Sequence, residues 1–274
     1  MKPITKAIIP VAGWGTRRLP ITKAIEKSML PIGNRPLVDY IVSDCIDAGI
    51  CDIYFVVSEA GSQLEKYYTS NENLNDYLRA NGKEARIAEV TPPEDVTFHF
   101  VVQDPNGKYG TSIPVALAAE QFADDEPAIV LMGDDFLHST DGVNDIRRLV
   151  DAAAQGDAAI IGVQLPDDGD VSQYGVFKVD EQGHFAGIVE KPAAEDAPSR
   201  LINVSKYVLT PHYLQAIRRH AASEQAGEYY ITDPISEVLA GGDAMRIVVA
   251  EGEYLDGGSV AGWLHANRVV LGDI

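Results

Sequence analysis

Along the chain, short apolar runs alternate with stretches in which apolar residues recur every three or four positions, the pattern of a sheet covered by helices. Lys6–Val11 predicts a buried strand, as do Asp52–Ser58 (DIYFVVS), Thr97–Gln103, Ala128–Leu131 and Ala158–Val163. Between them the spacing predicts helices over Leu37–Ala48, stopped at Gly49, and over Ser62–Tyr68, Ser112–Gln121 and Asp141–Gln155. From about Gln164 the pattern is less regular. Tyr174–Val179 and His184–Val189, joined by Asp180-Glu181-Gln182-Gly183, predict a β-hairpin. A strand over Ile202–Leu209, helices over His212–Ala222 and Asp233–Ala240, a strand over Arg246–Glu251 and a terminal helix from Ser259 follow. The polar, helix-prone segment Tyr67–Pro93 has no sheet role and reads as an insertion or lid. With no internal repeat and no low-complexity linker, the expectation is one mixed α/β domain.

Length and composition narrow the class. The 274 residues suit one large α/β domain, and 46% hydrophobic with 23% charged residues is ordinary for a globular chain. The formal net charge of −19 argues against a nucleic-acid binder, which needs a basic face to displace counterions. It also makes any local cluster of cations stand out. Cys45 and Cys51 have no His or further Cys at metal-ligand spacing, so zinc and iron–sulfur chemistry are not expected and a reducing compartment fits. The first apolar run is too short for a secretory signal and reads as a strand. No run reaches the roughly 18 apolar residues of a membrane span, so a cytoplasmic protein without membrane partners is expected.

Such a cluster of cations follows the first strand. In Val11-Ala12-Gly13-Trp14-Gly15-Thr16-Arg17-Arg18-Leu19-Pro20, continuing as ITKAIEKSMLP, two glycines precede Arg17, Arg18, Lys23 and Lys27. A glycine-rich turn after a first strand is where α/β folds bring backbone N–H groups close to phosphates, beyond the carboxyl ends of the strands. The same glycines could serve a tight turn alone. The stretch is not a dinucleotide fingerprint, because Arg18 stands where the third glycine would be, and no Gly-Lys-Ser/Thr makes it a Walker loop. Asp134, in Leu131-Met132-Gly133-Asp134-Asp135 at the end of an apolar strand, suits a Mg²⁺ ligand or a plain turn residue.

Gly13-Trp14-Gly15-Thr16-Arg17, Leu19-Pro20, Thr22-Lys23-Ala24-Ile25 and Lys27-Ser28-Met29-Leu30-Pro31 together resemble the signature of the sugar-1-phosphate nucleotidylyltransferases. Within them the chain is most similar to the bacterial branch that acts on UTP and glucose 1-phosphate. The resemblance covers nearly the whole sequence. It implies a Rossmann-like fold with a mixed, mostly parallel sheet flanked by helices, 1–163 serving the nucleotide and 164–274 the sugar. The implied reaction transfers a uridylyl group from UTP to glucose 1-phosphate with release of pyrophosphate. Such chemistry calls for cations and backbone dipoles more than for a covalent nucleophile.

On this resemblance Arg17 holds the leaving pyrophosphate by bidentate hydrogen bonds, Lys27 neutralises the reacting phosphates, and Asp134 and Asp256 (in Asp256-Gly257-Gly258-Ser259) hold Mg²⁺. The cation cluster as a whole then answers to a triphosphate. Ala12 and Gly13 offer backbone groups to the base, Gly15 and Thr16 line the phosphates, and Gln103 and Gly110 complete the nucleotide site. Gln103 reads an edge that uracil and thymine share, so a thymidylyltransferase remains an alternative. Gly175 (Tyr174-Gly175-Val176), Glu190 and Lys191 (Val189-Glu190-Lys191-Pro192) and Asn203 are the implied sugar-phosphate residues. Relatives in the family usually carry proline at Glu26 and glutamate or glutamine at Ser28, beside the key lysine. Those departures keep open a non-catalytic nucleotide-sugar-binding paralogue. The family also implies a homo-oligomer, a dimer or a tetramer.

Overall fold

In the structure, a computed structural model that describes residues 2–59, 62–154 and 156–272, the first strand divides its side chains between two cores. Ala7 and Ile9 of β1 (Lys6–Pro10) enter one apolar cluster and Ile8 the other, and all three are fully buried. Burial on both faces is why the run reads as continuously apolar.

The further strands are β2 (Pro31–Ile32), β3 (Arg35–Pro36), β4 (Asp52–Val57), β5 (Thr97–Val102), β6 (Ala128–Leu131) and β7 (Asp135–His138). The second half supplies β8 (Ala158–Gln164), β9 (Gly175–Val179), β10 (Phe185–Glu190), β11 (Leu201–Leu209), β12 (Met245–Val249) and β13 (Glu253–Asp256). The helices are α1 (Leu37–Asp47), α2 (Gln63–Tyr67), α3 (Glu72–Ala80), α4 (Ser112–Ala119), α5 (Asp145–Ala153), α6 (Pro211–Ala222), α7 (Thr232–Ala240) and α8 (Val260–Leu271).

The main sheet runs β10-β9-β11-β6-β1-β4-β5, with β8 on the other edge of β11 and β12 beyond it. β6, β1, β4 and β5 are parallel, as are β8 and β12, while β11 is antiparallel to β6, β8 and β9. This is the expected Rossmann-like, mixed, mostly parallel sheet, and both portions of the sequence share it. α1 and α5 cover one face, and α4, α6 and α7 cover the other. Because β1, β4, β5 and β6 run the same way, the loops that follow them gather at one edge of the sheet, where open α/β folds bind ligands.

Helix limits follow local chemistry. Asn144 accepts from Arg147 N, so α5 starts there and not at Asp141, whose carboxylate instead closes a turn with Ser139 and Val143. The far end of that expected helix, Gln155, lies outside the described residues. α1 stops at Asp47, and Gly49, just past the cap residue Ala48, takes φ +90°.

The hydrophobic pattern did not reveal the β7–β13 ribbon, in which Asp135 faces Asp256. Four-residue strands with a polar end give too little alternation to be read. Of the two readings of the Tyr67–Pro93 segment, insertion or lid, the second does not fit the structure. The segment folds as α3 and a 3-10 turn (Glu84–Glu89), and Tyr68 stacks on Phe55 and Phe98 and donates to Asp39. It lines a separate groove against α1, with Asp39, Val42 and Ile46 on the far wall, and none of it lines the cleft at the strand ends, so it is not a lid over that cleft.

Candidate active site

Close packing of the strand ends comes first, because it requires residues without side chains. A β-carbon on Gly133 would lie 2.4 Å from Val11 Cγ1, so the loop after β6 can press against the loop after β1 only with glycine there. Gly15, at φ +60°, turns the chain into a 3-10 turn over Thr16–Arg18, and its carbonyl accepts from Thr22 Oγ1 at 2.9 Å. Its missing β-carbon would sit 3.1 Å from Lys27 Cβ, which places the lysine directly behind the glycine turn.

Beside this turn lies a cleft of about 300 Å³ lined by Ala12, Gly13, Gln103 and Gly110, four of the residues expected to hold the nucleotide. Trp14, Ser58, Lys108, Met132 and Glu228 line it too. The sequence assigns no nucleotide contact to these five side chains, although Trp14 stands between the glycines and Lys108 lies in the Gly107–Thr111 loop. Gly110 is required by contact: at φ +120°, its β-carbon would lie 2.4 Å from Tyr229 N and 2.5 Å from Tyr229 O. Tyr229 N donates to Tyr109 O, Ser112 N to Tyr229 O, and Ile231 N to Thr111 Oγ1. Those bonds clamp the Gly227–Ile231 segment to the cleft wall.

Behind the same glycine turn the charged groups converge. Lys27 Nζ pairs with Asp134 Oδ2. Asp256 is held by Gly258 N on one oxygen (2.7 Å) and by Ser259 Oγ on the other (3.1 Å). A β-carbon on Gly258 would lie 2.8 Å from Asp256 Oδ1 and 3.4 Å from both Asp134 Oδ2 and Lys27 Nζ. One small space is therefore bounded by two carboxylates and one ammonium. The β7–β13 register creates it, since Asp134 precedes the residue that faces Asp256.

The neighbouring Asp135 does not share this space. Successive residues of an extended chain point to opposite sides, and Asp135 turns into the core. There it pairs with Lys206, which is 1% exposed, and accepts from Tyr254 OH at 3.2 Å. Burial pushes the Asp135 carboxyl up to about 6 against the pull of Lys206. Burial, and then the charge of Asp135, hold the Tyr254 hydroxyl far above its ordinary range.

The hairpin supplies the other side of the site. Glu190 faces Gly175 across β9–β10, and a β-carbon on Gly175 would come 3.0 Å from Glu190 Oε1. Lys191 leaves the strand in the left-handed region, at φ +45°, with its N–H on Tyr174 O at 2.9 Å. Such a conformation in a non-glycine residue marks a constrained position. Burial, followed by the charge of Asp256, raises the Tyr174 hydroxyl, tying the hairpin electrostatically to the carboxylate cluster. Asn203 is occupied locally: its Oδ1 accepts from Ser205 N at 2.9 Å and its Nδ2 lies 3.3 Å from Tyr207 OH. That bonding supports Ser205 at φ +51°, within a bulge of β11.

One sequence reading changes. Arg17 and Lys23 are exposed, but Arg18 is buried and donates to Gly257 O (3.1 Å) and Ser259 O (2.7 Å) while stacking 5.2 Å from the Trp263 ring. It anchors the Asp256–Ser259 turn and is not available to phosphates. Glu26, a negative charge beside Lys27, turns its carboxylate onto the Gln63 N–H, away from the carboxylate cluster. No group of three or more His, Cys, Asp or Glu suited to a metal occurs among the described residues, so the donor set available here is the pair Asp134 and Asp256. Two hard oxygen ligands, with phosphates completing the shell, fit Mg²⁺, which seldom takes an all-protein cage. No described helix is long and apolar enough to cross a membrane.

Known proteins are similar to this chain in sequence and fold. Residues 6–272 match the family model described as nucleotidyl transferase. The chain is 35% identical over 239 residues to UTP–glucose-1-phosphate uridylyltransferase of Streptococcus pneumoniae, covering 85% of this chain and 79% of that one. It is 34% identical over 279 residues to UTP–glucose-1-phosphate uridylyltransferase YngB of Bacillus subtilis, covering 98% and 90%. The solved structure of UTP-bound UGPase from Acinetobacter baumannii superposes with a TM-score of 0.87 at 30% identity, covering 97% of this chain and 93% of that one. This chain belongs to the nucleotidyl transferase family, alongside the UTP–glucose-1-phosphate uridylyltransferases.

Proposed function

We propose that this enzyme transfers the uridylyl group of UTP to glucose 1-phosphate, giving UDP-glucose and pyrophosphate. The observation that carries the reading is the space at Gly258 bounded by Lys27, Asp134 and Asp256, with Lys27 packed behind the glycine turn whose loop lines the Gln103 cleft. A phosphate oxygen of the sugar attacks the α-phosphorus of UTP. The bond from that phosphorus to the bridging oxygen breaks, and pyrophosphate leaves with the electron pair. No proton transfer to a protein group is needed, so the burden falls on charge and alignment.

In this assignment 1–163 binds the nucleotide and 164–274 the sugar. Ala12, Gly13, Gln103 and Gly110 seat the base and ribose, and Gly15 and Thr16 let the chain approach the phosphates. Arg17, exposed at the mouth of the glycine turn, binds the departing pyrophosphate, and Lys27 exchanges Asp134 for the reacting phosphate. Glu190 accepts from sugar hydroxyls over Gly175, and Lys191 pairs with the sugar phosphate, while Asn203 supports the adjacent strand. Asp134 and Asp256 would hold Mg²⁺, which when bound offsets negative charge where two phosphates meet. The family likeness also favours a cytoplasmic homo-oligomer, a dimer or a tetramer, which sedimentation would resolve.

The test is pyrophosphate release with glucose 1-phosphate and Mg²⁺, with UTP, dTTP, ATP and GTP compared at equal concentration. Turnover with UTP well above the other three is expected. A large preference for dTTP would move the enzyme to the thymidylyl branch, and silence with all four would contradict the assignment.

A further inference from the structure

Lys27 begins a single 3-10 turn, Lys27–Met29, and nothing in that turn fixes where it starts. On one side the missing side chain of Gly15 leaves the lysine against the glycine loop. On the other side, Glu26 and Gln63 hold one another. Glu26 N donates to Gln63 Oε1 at 3.0 Å, and Gln63 N donates to the Glu26 carboxylate. Gln63 Nε2 donates to Ala24 O at 2.9 Å. Three hydrogen bonds therefore bind Ala24 and Glu26, just ahead of Lys27, to the first residue of α2.

Other contacts root α2 in the core. Ser62 Oγ accepts from Glu65 N, Leu64 is fully buried, and Tyr68 just beyond the helix stacks on Phe55 of β4. The clasp thus ties the loop bearing Lys27 to the sheet through an element that lines no part of the nucleotide cleft.

We propose that Gln63, acting with Glu26, is a positioning residue for Lys27. The clasp fixes the backbone from which the lysine reaches the reacting phosphates, and it turns the Glu26 charge away from them. An ammonium on a four-carbon stem has many rotamers. A fixed origin reduces those that miss the phosphate. The proposal rests on the role given to Lys27 above. Its signature is a loss in turnover without a loss of substrate binding or of stability, because the clasp touches neither the base cleft nor the core.

The experiment compares Gln63→Ala, Glu26→Ala, the double variant and Glu26→Gln with the unaltered enzyme, using Lys27→Ala as reference. Each single alanine variant is expected to lower kcat roughly tenfold, the scale of a small misplacement of a reacting group, with KM for UTP within about twofold and Tm unchanged. The double variant is expected to match the singles rather than multiply them, since the residues act as one unit. Glu26→Gln keeps an acceptor for the Gln63 N–H and is expected to retain most of kcat. Amide hydrogen exchange over 24–30 should quicken in the alanine variants whatever the substrate. Wild-type kcat in both single variants, multiplying effects in the double, or a fall in Tm with kcat unchanged would each overturn the proposal. Full activity in Lys27→Ala would instead remove the role of Lys27 itself, so the two failures are distinct.

Discussion

Two consecutive aspartates each hold a lysine, and the two pairs differ in almost everything else. Asp134 and Lys27 are partly open, with side chains 28% and 16% exposed, and they share their space with Asp256. Asp135 and Lys206 are sealed, at 11% and 1%, and Tyr254 supplies a further hydrogen bond. A partly wetted ion pair is worth little in stability and can be exchanged. A dry pair is costly to assemble and costlier to break, because the surviving charge stays buried. The same residue types one position apart therefore serve two purposes. In the proposed reaction the outer pair gives up its lysine to a phosphate, while the inner pair lies on the ribbon that brings Asp134 beside Asp256.

The contrast is sharpest in substitutions of the lysines. Lys27→Ala is expected to lower kcat/KM about 10²- to 10³-fold, the range lost when a group stabilising transition-state charge is removed. Steady-state pyrophosphate release measures the loss, and stability in urea should be nearly unchanged. Lys206→Met should do the reverse. By leaving Asp135 unpaired in the core it is expected to cost about 3–5 kcal/mol of unfolding free energy, while the fraction that folds keeps its turnover. If both lysines affected the same quantity, the comparison would fail.

Smaller effects probe the frame around the pairs. Gly110→Ala places a β-carbon on the Tyr229 backbone. It should raise KM for UTP by about tenfold through displacement of the cleft wall, with kcat less affected, which initial-rate kinetics would separate.

The smallest effect is one of pH. Burial, with the charge of Asp47 adding to it, pushes half-buried Asp44 on α1 up to about 7. A carboxyl whose folded pKa lies above its unfolded value near 3.9 binds more protons in the native state. Its ionisation therefore costs stability progressively as pH rises from that value through 7. The net charge of −19 acts in the same direction. Thermal midpoints should be higher at pH 5.5 than at pH 8, and Asp44→Asn should flatten that slope.

How far the sequence reveals this arrangement depends on the range of the contacts. The β1 run and its glycine turn are legible because local geometry forces them: a strand buried on both faces is apolar throughout, and a sharp turn against a neighbouring loop needs glycine. The helix over Leu37–Asp47 is legible from its spacing and from Gly49. Asp134 stands out because it ends an apolar strand, whereas Asp256 is recognisable only through the family resemblance. The fate of Arg18 is not legible, since its partners Gly257, Ser259 and Trp263 lie more than two hundred residues away. Lys206 reads as an ordinary strand lysine until the fold sets it on Asp135. Nothing local distinguishes Glu26 as a hydrogen-bonding partner of Gln63 rather than a charge beside the phosphates. In each of these cases the residue type suggested a role, and a distant partner decided it.

The most direct test of the central claim is turnover in Asp134→Asn and Asp135→Asn measured side by side, each scaled to its folded fraction. The account expects Asp134→Asn to lose turnover about 10²- to 10³-fold, and Asp135→Asn to stay within about tenfold of the unaltered enzyme once folded. Near-normal turnover in Asp134→Asn, or equal losses in both, would contradict the assignment of the outer pair to chemistry and the inner pair to structure.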